Sequence, residues 1–248
     1  MPDQPLAVLL RQARPGADGN DPYEHALRSI AYPATCQPVL AFDLQDPRAL
    51  RVLLQRPARY DALICTSPRA GGALQEILPP NHKLYASWTA KPTYVTGPRT
   101  ATVIDAWGGQ PVGQEAGNAT ALARHIIADT MADTMADTPA SLLFLSGNRR
   151  RNTLPQALTE AGCPFDEVEV YRTRIRTDLS LPDPPATLVF FSPSGVEAVQ
   201  RSGYDLSAYP CAAIGTTTAA ALRAGGASGV AVAPTPTPEG VQAALQEM

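Results

Sequence analysis

The chain states one pattern twice, and that repetition constrains its fold more than any single motif. Thr66-Ser67-Pro68-Arg69-Ala70 is echoed by Phe191-Ser192-Pro193-Ser194-Gly195. Val95-Thr96-Gly97-Pro98-Arg99-Thr100-Ala101-Thr102 is echoed by Ala213-Ile214-Gly215-Thr216-Thr217-Thr218-Ala219-Ala220. An apolar run, a turn of Gly, Ser, Thr and Pro, and then an alanine-rich run is the pattern of a β-strand feeding an α-helix. Two copies predict two similar α/β lobes. A cleft lined by turns rich in hydroxyls and free amides suits a large anionic ligand.

Bulk composition narrows the function classes. Of 248 residues, 44% are hydrophobic and 17% charged, enough to build packed cores rather than a disordered chain. The formal charge of −3 argues against general nucleic-acid binding, so an anionic ligand must be drawn by local arginines and backbone amides. No apolar run approaches a membrane span, and Met1-Pro2-Asp3-Gln4-Pro5 lacks the character of a secretory signal. Cys36, Cys65, Cys163 and Cys211 form no CxxC pair, and His25, His82 and His125 are equally dispersed. Neither a disulfide framework nor a metal site is expected from them.

Strand and helix patterns alternate along the chain. Leu6–Leu10 reads as a buried strand, and Asp21-Pro22 opens a helix with a cap and a proline at the first helical position. Residues 35–42 are extended, but Pro38 makes them a poor central strand. Asp46-Pro47 opens a helix to Gln55. Strand-then-helix pairs follow at 61–65 with 68–78, 93–96 with 99–107, 141–145 with 150–160, 187–191 with 193–201, 211–214 with 217–224 and 229–232 with 237–247. Asn118 caps a further helix to Ile127, and the repeat Ala128–Thr138 reads as a surface insertion. Residues 167–175 alternate as a half-exposed strand does. The whole predicts parallel sheets covered by helices on both faces.

Six short motifs in order resemble the uroporphyrinogen-III synthase family. They are Thr66-Ser67-Pro68-Arg69-Ala70; Gly117-Asn118-Ala119; Gly147-Asn148 with Arg150, Arg151 and Leu154-Pro155; Phe190–Gly195; Ala213-Ile214-Gly215 with Thr217-Thr218-Ala219; and Pro236-Thr237-Pro238. Val170-Tyr171-Arg172-Thr173 is similar to the family's tyrosine-bearing strand, and Leu9-Leu10 with Asp21-Pro22-Tyr23 resembles its eukaryotic branch. The resemblance implies two flavodoxin-like parallel-sheet domains joined by a two-stranded antiparallel linker. Domain 1 would be 1–34 with 176–248, domain 2 would be 42–167, and the linkers 35–41 and 168–175. It also implies a monomeric cytoplasmic enzyme without cofactor or metal. Its small-molecule substrate would be hydroxymethylbilane, closed to uroporphyrinogen III with inversion of ring D and loss of water, in heme biosynthesis.

Such a reaction asks for shape and electrostatic preorganisation rather than a catalytic triad, and the chain offers no triad, metal cluster or matched carboxylate pair. Tyr171 is the candidate proton donor to the departing hydroxyl; the competing reading is a half-buried strand tyrosine with a satisfied hydroxyl. Thr217 and Thr218, after Gly215, open a helix and are candidates to hold a carboxylate, against the plainer role of a cap. Thr100, after Gly97, takes the same reading in the other copy. Ser67, Ser192 and Ser194 are expected to bind carboxylates rather than attack, since neither turn is a GxSxG elbow and no histidine stands by. Asn148 joins them, with Arg151 (or Arg150) as a bidentate partner, against a solvated basic face. Arg11 is a weaker candidate. A two-lobed binding protein without turnover, or a degenerate synthase-like regulator, is the alternative. A Rossmann nucleotide enzyme is disfavoured because no GxGxxG follows the first strand.

Overall fold

The described residues of the computed structural model are 6–16, 19–132, 141–184 and 186–248. The central strands, such as Ala62–Cys65 and Leu142–Gly147, are short apolar runs buried throughout, and eleven strands form among the described residues. These are β1 (Ala7–Leu10), β2 (Ala34–Cys36), β3 (Leu40–Leu44), β4 (Ala62–Cys65), β5 (Pro92–Val95), β6 (Gln110–Val112), β7 (Leu142–Gly147), β8 (Phe165–Ile175), β9 (Thr187–Phe190), β10 (Cys211–Ala213) and β11 (Val230–Val232). Between them run α1 (Pro22–Ser29), α2 (Arg48–Leu54), α3 (Pro68–Ile77), α4 (Tyr85–Thr89), α5 (Pro98–Ala106), α6 (Ala119–Ala132), α7 (Thr153–Glu160), α8 (Pro193–Arg201), α9 (Thr216–Ala224) and α10 (Pro238–Gln246). Pro22, Pro68, Pro98, Pro193 and Pro238 each occupy a first helical position, where the missing N–H costs nothing.

The chain divides into two compact units, Met1–Ala41 with Arg174–Met248 and Phe42–Thr173. In the first, the strand order is β11-β10-β9-β1-β2 and all pairings are parallel, which is the flavodoxin order. In the second, the order is β3-β8-β7-β4-β5-β6, and β8 through β6 are parallel. Helices cover both faces of each sheet, so β1, β4, β7, β9 and β10 are buried at every position and read as nearly continuous apolar runs. β3 and β8 differ from the rest in direction. The Gln45 amide donates to the Val170 carbonyl and the Arg176 amide to the Val39 carbonyl, both at 3.0 Å, so the two run antiparallel. They are the segments through which the chain leaves its first unit and returns.

Several expectations are refined. The segment 35–41 begins inside β2, which pairs with β1, before it reaches β3. The helix opened by Asn118 continues past Ile127 to Ala132, so the repeat starts as helix, and its residues 133–138 lie outside the described residues, as do Met1–Pro5. The short α4 and β6 were not foreseen.

Candidate active site

Ligands of open parallel sheets bind beyond the carboxyl ends of the strands, where the strand order reverses. In the first unit that point lies between β1 and β9. Arg11 follows β1, and its guanidinium is held 4.7 Å from the Tyr23 ring centre and 5.0 Å from that of Phe191. The buried carboxylate of Asp21 lies 3.3 Å away and also accepts from the Arg14 and Tyr23 amides. Arg11 is therefore clamped by its own unit. Ser192 precedes α8 without capping it, so its hydroxyl is not engaged by its own helix, and Ser194 is half-buried one position into the helix.

Next along the same sheet, Gly215 leads from β10 into α9. Its φ of 177° is plain extended backbone. No side chain caps α9, and the amides of Thr216, Thr217 and Thr218 make no backbone hydrogen bond among the described residues. Thr217 is exposed, whereas Thr218 is only 4% exposed. Free amides and the positive end of the helix dipole together make a place for a carboxylate.

In the second unit the reversal lies between β4 and β7. Here the matching turns are more occupied. The Ser67 hydroxyl caps α3 by accepting from the Arg69 amide at 3.3 Å. After Gly97, Pro98 has no N–H to offer, the Thr100 and Ala101 amides both bond the Gly97 carbonyl, and Thr100 is buried. Beside these turns an open hollow of about 210 Å³ is lined by Thr66, Thr96, Asn118, Arg150 and Arg151 among others. Asn118 caps α6 through the Ala121 amide at 2.9 Å. Arg150 grips Glu167 with two hydrogen bonds, 2.5 and 2.7 Å. Partial burial raises the Glu167 pKa, but Arg150 and the Ser146 hydroxyl outweigh it and hold the carboxyl below its ordinary range. Arg151 is exposed and has no hydrogen bond or ion pair among the described residues.

Tyr171 lies on β8, half-buried against the core of the second unit. The sequence contains eight tyrosines. Seven hydroxyls have protein partners: Tyr23 with Pro236, Tyr32 with Thr187, Tyr60 with Asp166, Tyr85 with Trp107, Tyr94 with Asp129, Tyr204 with Leu179 and Tyr209 with Pro182. The Tyr171 hydroxyl has none among the described residues. Asn148 follows β7 with both polar atoms of its side chain engaged: its Oδ1 accepts from the Thr173 amide at 2.8 Å and its Nδ2 donates to the Thr173 carbonyl at 3.2 Å.

A family model described as uroporphyrinogen-III synthase HemD matches residues 21–243. The chain belongs to the uroporphyrinogen-III synthase family. The curated uroporphyrinogen-III synthase of Saccharomyces cerevisiae is 30% identical over 250 residues, which is 91% of this chain and 91% of that protein. A solved uroporphyrinogen-III synthetase from Helicobacter pylori has the same fold, with TM-score 0.60 and 20% identity over 99% of this chain and 100% of that one. A mutant uroporphyrinogen III synthase from the extremely thermophilic bacterium Thermus thermophilus superposes with TM-score 0.52 and 16% identity, covering 98% and 99%. Membership makes the chain a cyclising lyase of tetrapyrrole biosynthesis. No helix among the described residues is long and apolar enough to cross a membrane.

Two features of the site escaped the sequence reading. The difference between the two glycine turns was legible: Pro98 in one and Thr216 in the other decide how many amides face outward. That Asn148 would satisfy a neighbouring strand was not, because nothing in a single Gly-Asn pair says which strand lies beside it.

Proposed function

We propose that this chain closes hydroxymethylbilane to uroporphyrinogen III, with Tyr171 as proton donor. The pyrrole nitrogen of ring A drives the hydroxyl from its methylene carbon, leaving an azafulvene. The Tyr171 phenol gives that hydroxyl its proton, so that it leaves as water. Ring D attacks the ring A methylene through its own substituted carbon to give a spiro intermediate. The bond from that carbon to the ring C methylene breaks to leave an azafulvene on ring C, and the free α-carbon of ring D closes onto it, so that the ring is inverted. The proton lost as the last pyrrole regains aromaticity restores the phenol. One observation carries this reading: among eight tyrosines, the hydroxyl of Tyr171 alone is not occupied by its own protein among the described residues.

Carboxylate partners come from each unit's own strand ends. In the first unit they are the free amides of α9, with Thr217 exposed beside them, and the Ser192 hydroxyl; Thr218 and Ser194 contribute backbone. In the second unit the exposed Arg151 has no hydrogen bond or ion pair among the described residues, and Ser67, Gly97 and Thr100 shape the turns beside it. Asn148 acts through β8. The proposal has the chain working as a cytoplasmic monomer without cofactor, with 35–41 and 168–175 as linkers between its domains.

Incubation with hydroxymethylbilane should yield the type III isomer. Type I alone, the product of spontaneous closure, defeats the proposal. Tyr171→Phe should lower kcat by about 10²-fold, the lower end of what a positioned acid contributes. An unchanged rate moves the donor role to another group.

A further inference from the structure

We infer that Gly147 is the seat of the Tyr171 ring, and that Gly147 and Asn148 together are positioning residues that aim its phenol; this rests on the reading of Tyr171 as proton donor. Three observations converge. A Cβ built on Gly147 would stand 2.6 Å from Tyr171 Cε2 and 2.7 Å from its Oη, and closer still to Cζ. The backbone does not ask for glycine there, since Gly147 is not among the residues with positive φ. What residue 147 lacks is needed as space for the ring. A glycine inside a strand commonly marks such a close approach.

The second observation is the pairing register. Ser146 lies opposite Glu169 but Gly147 lies opposite Tyr171, so Val170 is an extra residue in β8. A bulge of this kind re-aims a side chain. Val170 and Tyr171 are adjacent, yet both pack against the same apolar cluster as Leu143 and Leu145. In a regular strand Tyr171 would face away from Val170, on the opposite side of the sheet; the bulge keeps both on the same side.

The third is Asn148. Its amide N–H donates to the Tyr171 carbonyl at 3.3 Å, and its side chain bonds both backbone groups of Thr173. The side chain thus acts as one more peptide unit of β7. It secures the backbone on both sides of Arg172 and fixes the residue that carries the phenol.

The clash at Gly147→Ala falls on the far end of a side chain, so the ring can swing aside while the strand stays folded. The full chain and the variants Gly147→Ala, Tyr171→Ala, their double variant and Asn148→Ala are compared in three ways: turnover of hydroxymethylbilane, urea unfolding, and the ¹³C ring resonance of Tyr171 in ¹³C-tyrosine protein, identified by its loss in Tyr171→Ala. Gly147→Ala should move the ring resonance and lower kcat about 10²-fold, the cost of misplacing a catalytic group by about 1 Å. KM and the urea midpoint should hold. Added to Tyr171→Ala, it should change kcat less than about twofold, because the ring it displaces is gone. Asn148→Ala should shift the resonance and lower kcat in the same direction, again only while the ring is present. An unmoved resonance with full turnover overturns the seat itself. A further loss in the double variant overturns positioning in favour of general structural damage. A displaced ring with full turnover overturns the donor reading, and the inference falls with it.

Discussion

Arg11 and Arg151 have the same chemistry and opposite situations. Arg11 lies between two aromatic rings beside a buried carboxylate, and Arg151 is exposed with its guanidinium unengaged among the described residues. Their substitutions should separate accordingly. Arg151→Ala should raise KM for hydroxymethylbilane about tenfold, as loss of one charge-assisted contact of ~1.4 kcal/mol does, with no change in urea midpoint. Asp21→Ala removes a helix cap and strands Arg11, and should cost ~2–4 kcal/mol in urea unfolding. Glu167 adds a pH dependence. Its pKa in the folded chain lies below the ordinary value, so folding favours the carboxylate. The stabilisation is complete above the unfolded pKa of about 4.3 and fades as pH falls through the folded value. Urea midpoints measured from about pH 6 to about pH 3 should drop more steeply for the native chain than for Glu167→Gln.

At the level of elements, the helix ends of the second unit are tied down by indoles. Trp88 is buried and donates through Nε1 to the Leu54 carbonyl at the end of α2, at 2.9 Å. Trp107 does the same for the Leu78 carbonyl after α3, at 2.9 Å. Helix C-termini leave carbonyls without partners, and burial makes each unpaired carbonyl costly. Trp107→Phe keeps an aromatic ring but orphans Leu78, and should destabilise the chain by ~1–3 kcal/mol in thermal or urea unfolding. The elements themselves were largely legible. Proline after Asp21, Ser67, Gly97, Ser192 and Thr237 marked helix starts, and runs such as Ala62–Cys65 and Leu142–Leu145 marked buried strands. What escaped was short or tertiary. β6 is three residues long with a central proline, tolerated because it lies at the sheet edge. α4 is little more than one turn long and owes its place to the packing of Trp88, which no local periodicity announces.

Over the whole molecule, the apolar clusters respect the two units. Those around Trp88 and Ile126 lie within Phe42–Thr173, and those around Phe190 and Leu27 lie within the other unit. The second unit is one unbroken stretch of chain with core on both faces of its sheet. Expressed alone as residues 42–173, it should unfold cooperatively in urea, monitored by circular dichroism; a broad, featureless transition would contradict that. The sequence by itself determined the repeated strand-turn-helix grammar, the two parallel sheets and the family. Each of these follows from local signals: apolar run length, caps, prolines and short motifs in order. Only the tertiary structure decided which of the signalled groups are available. Ser67 and Ser192 look alike in sequence, yet one caps its helix and the other does not. Tyr171 looks like any strand tyrosine until the remaining seven are seen with partners and Gly147 is seen beneath its ring. Availability depends on which neighbours folding brings within hydrogen-bonding distance, and those neighbours come from distant parts of the chain.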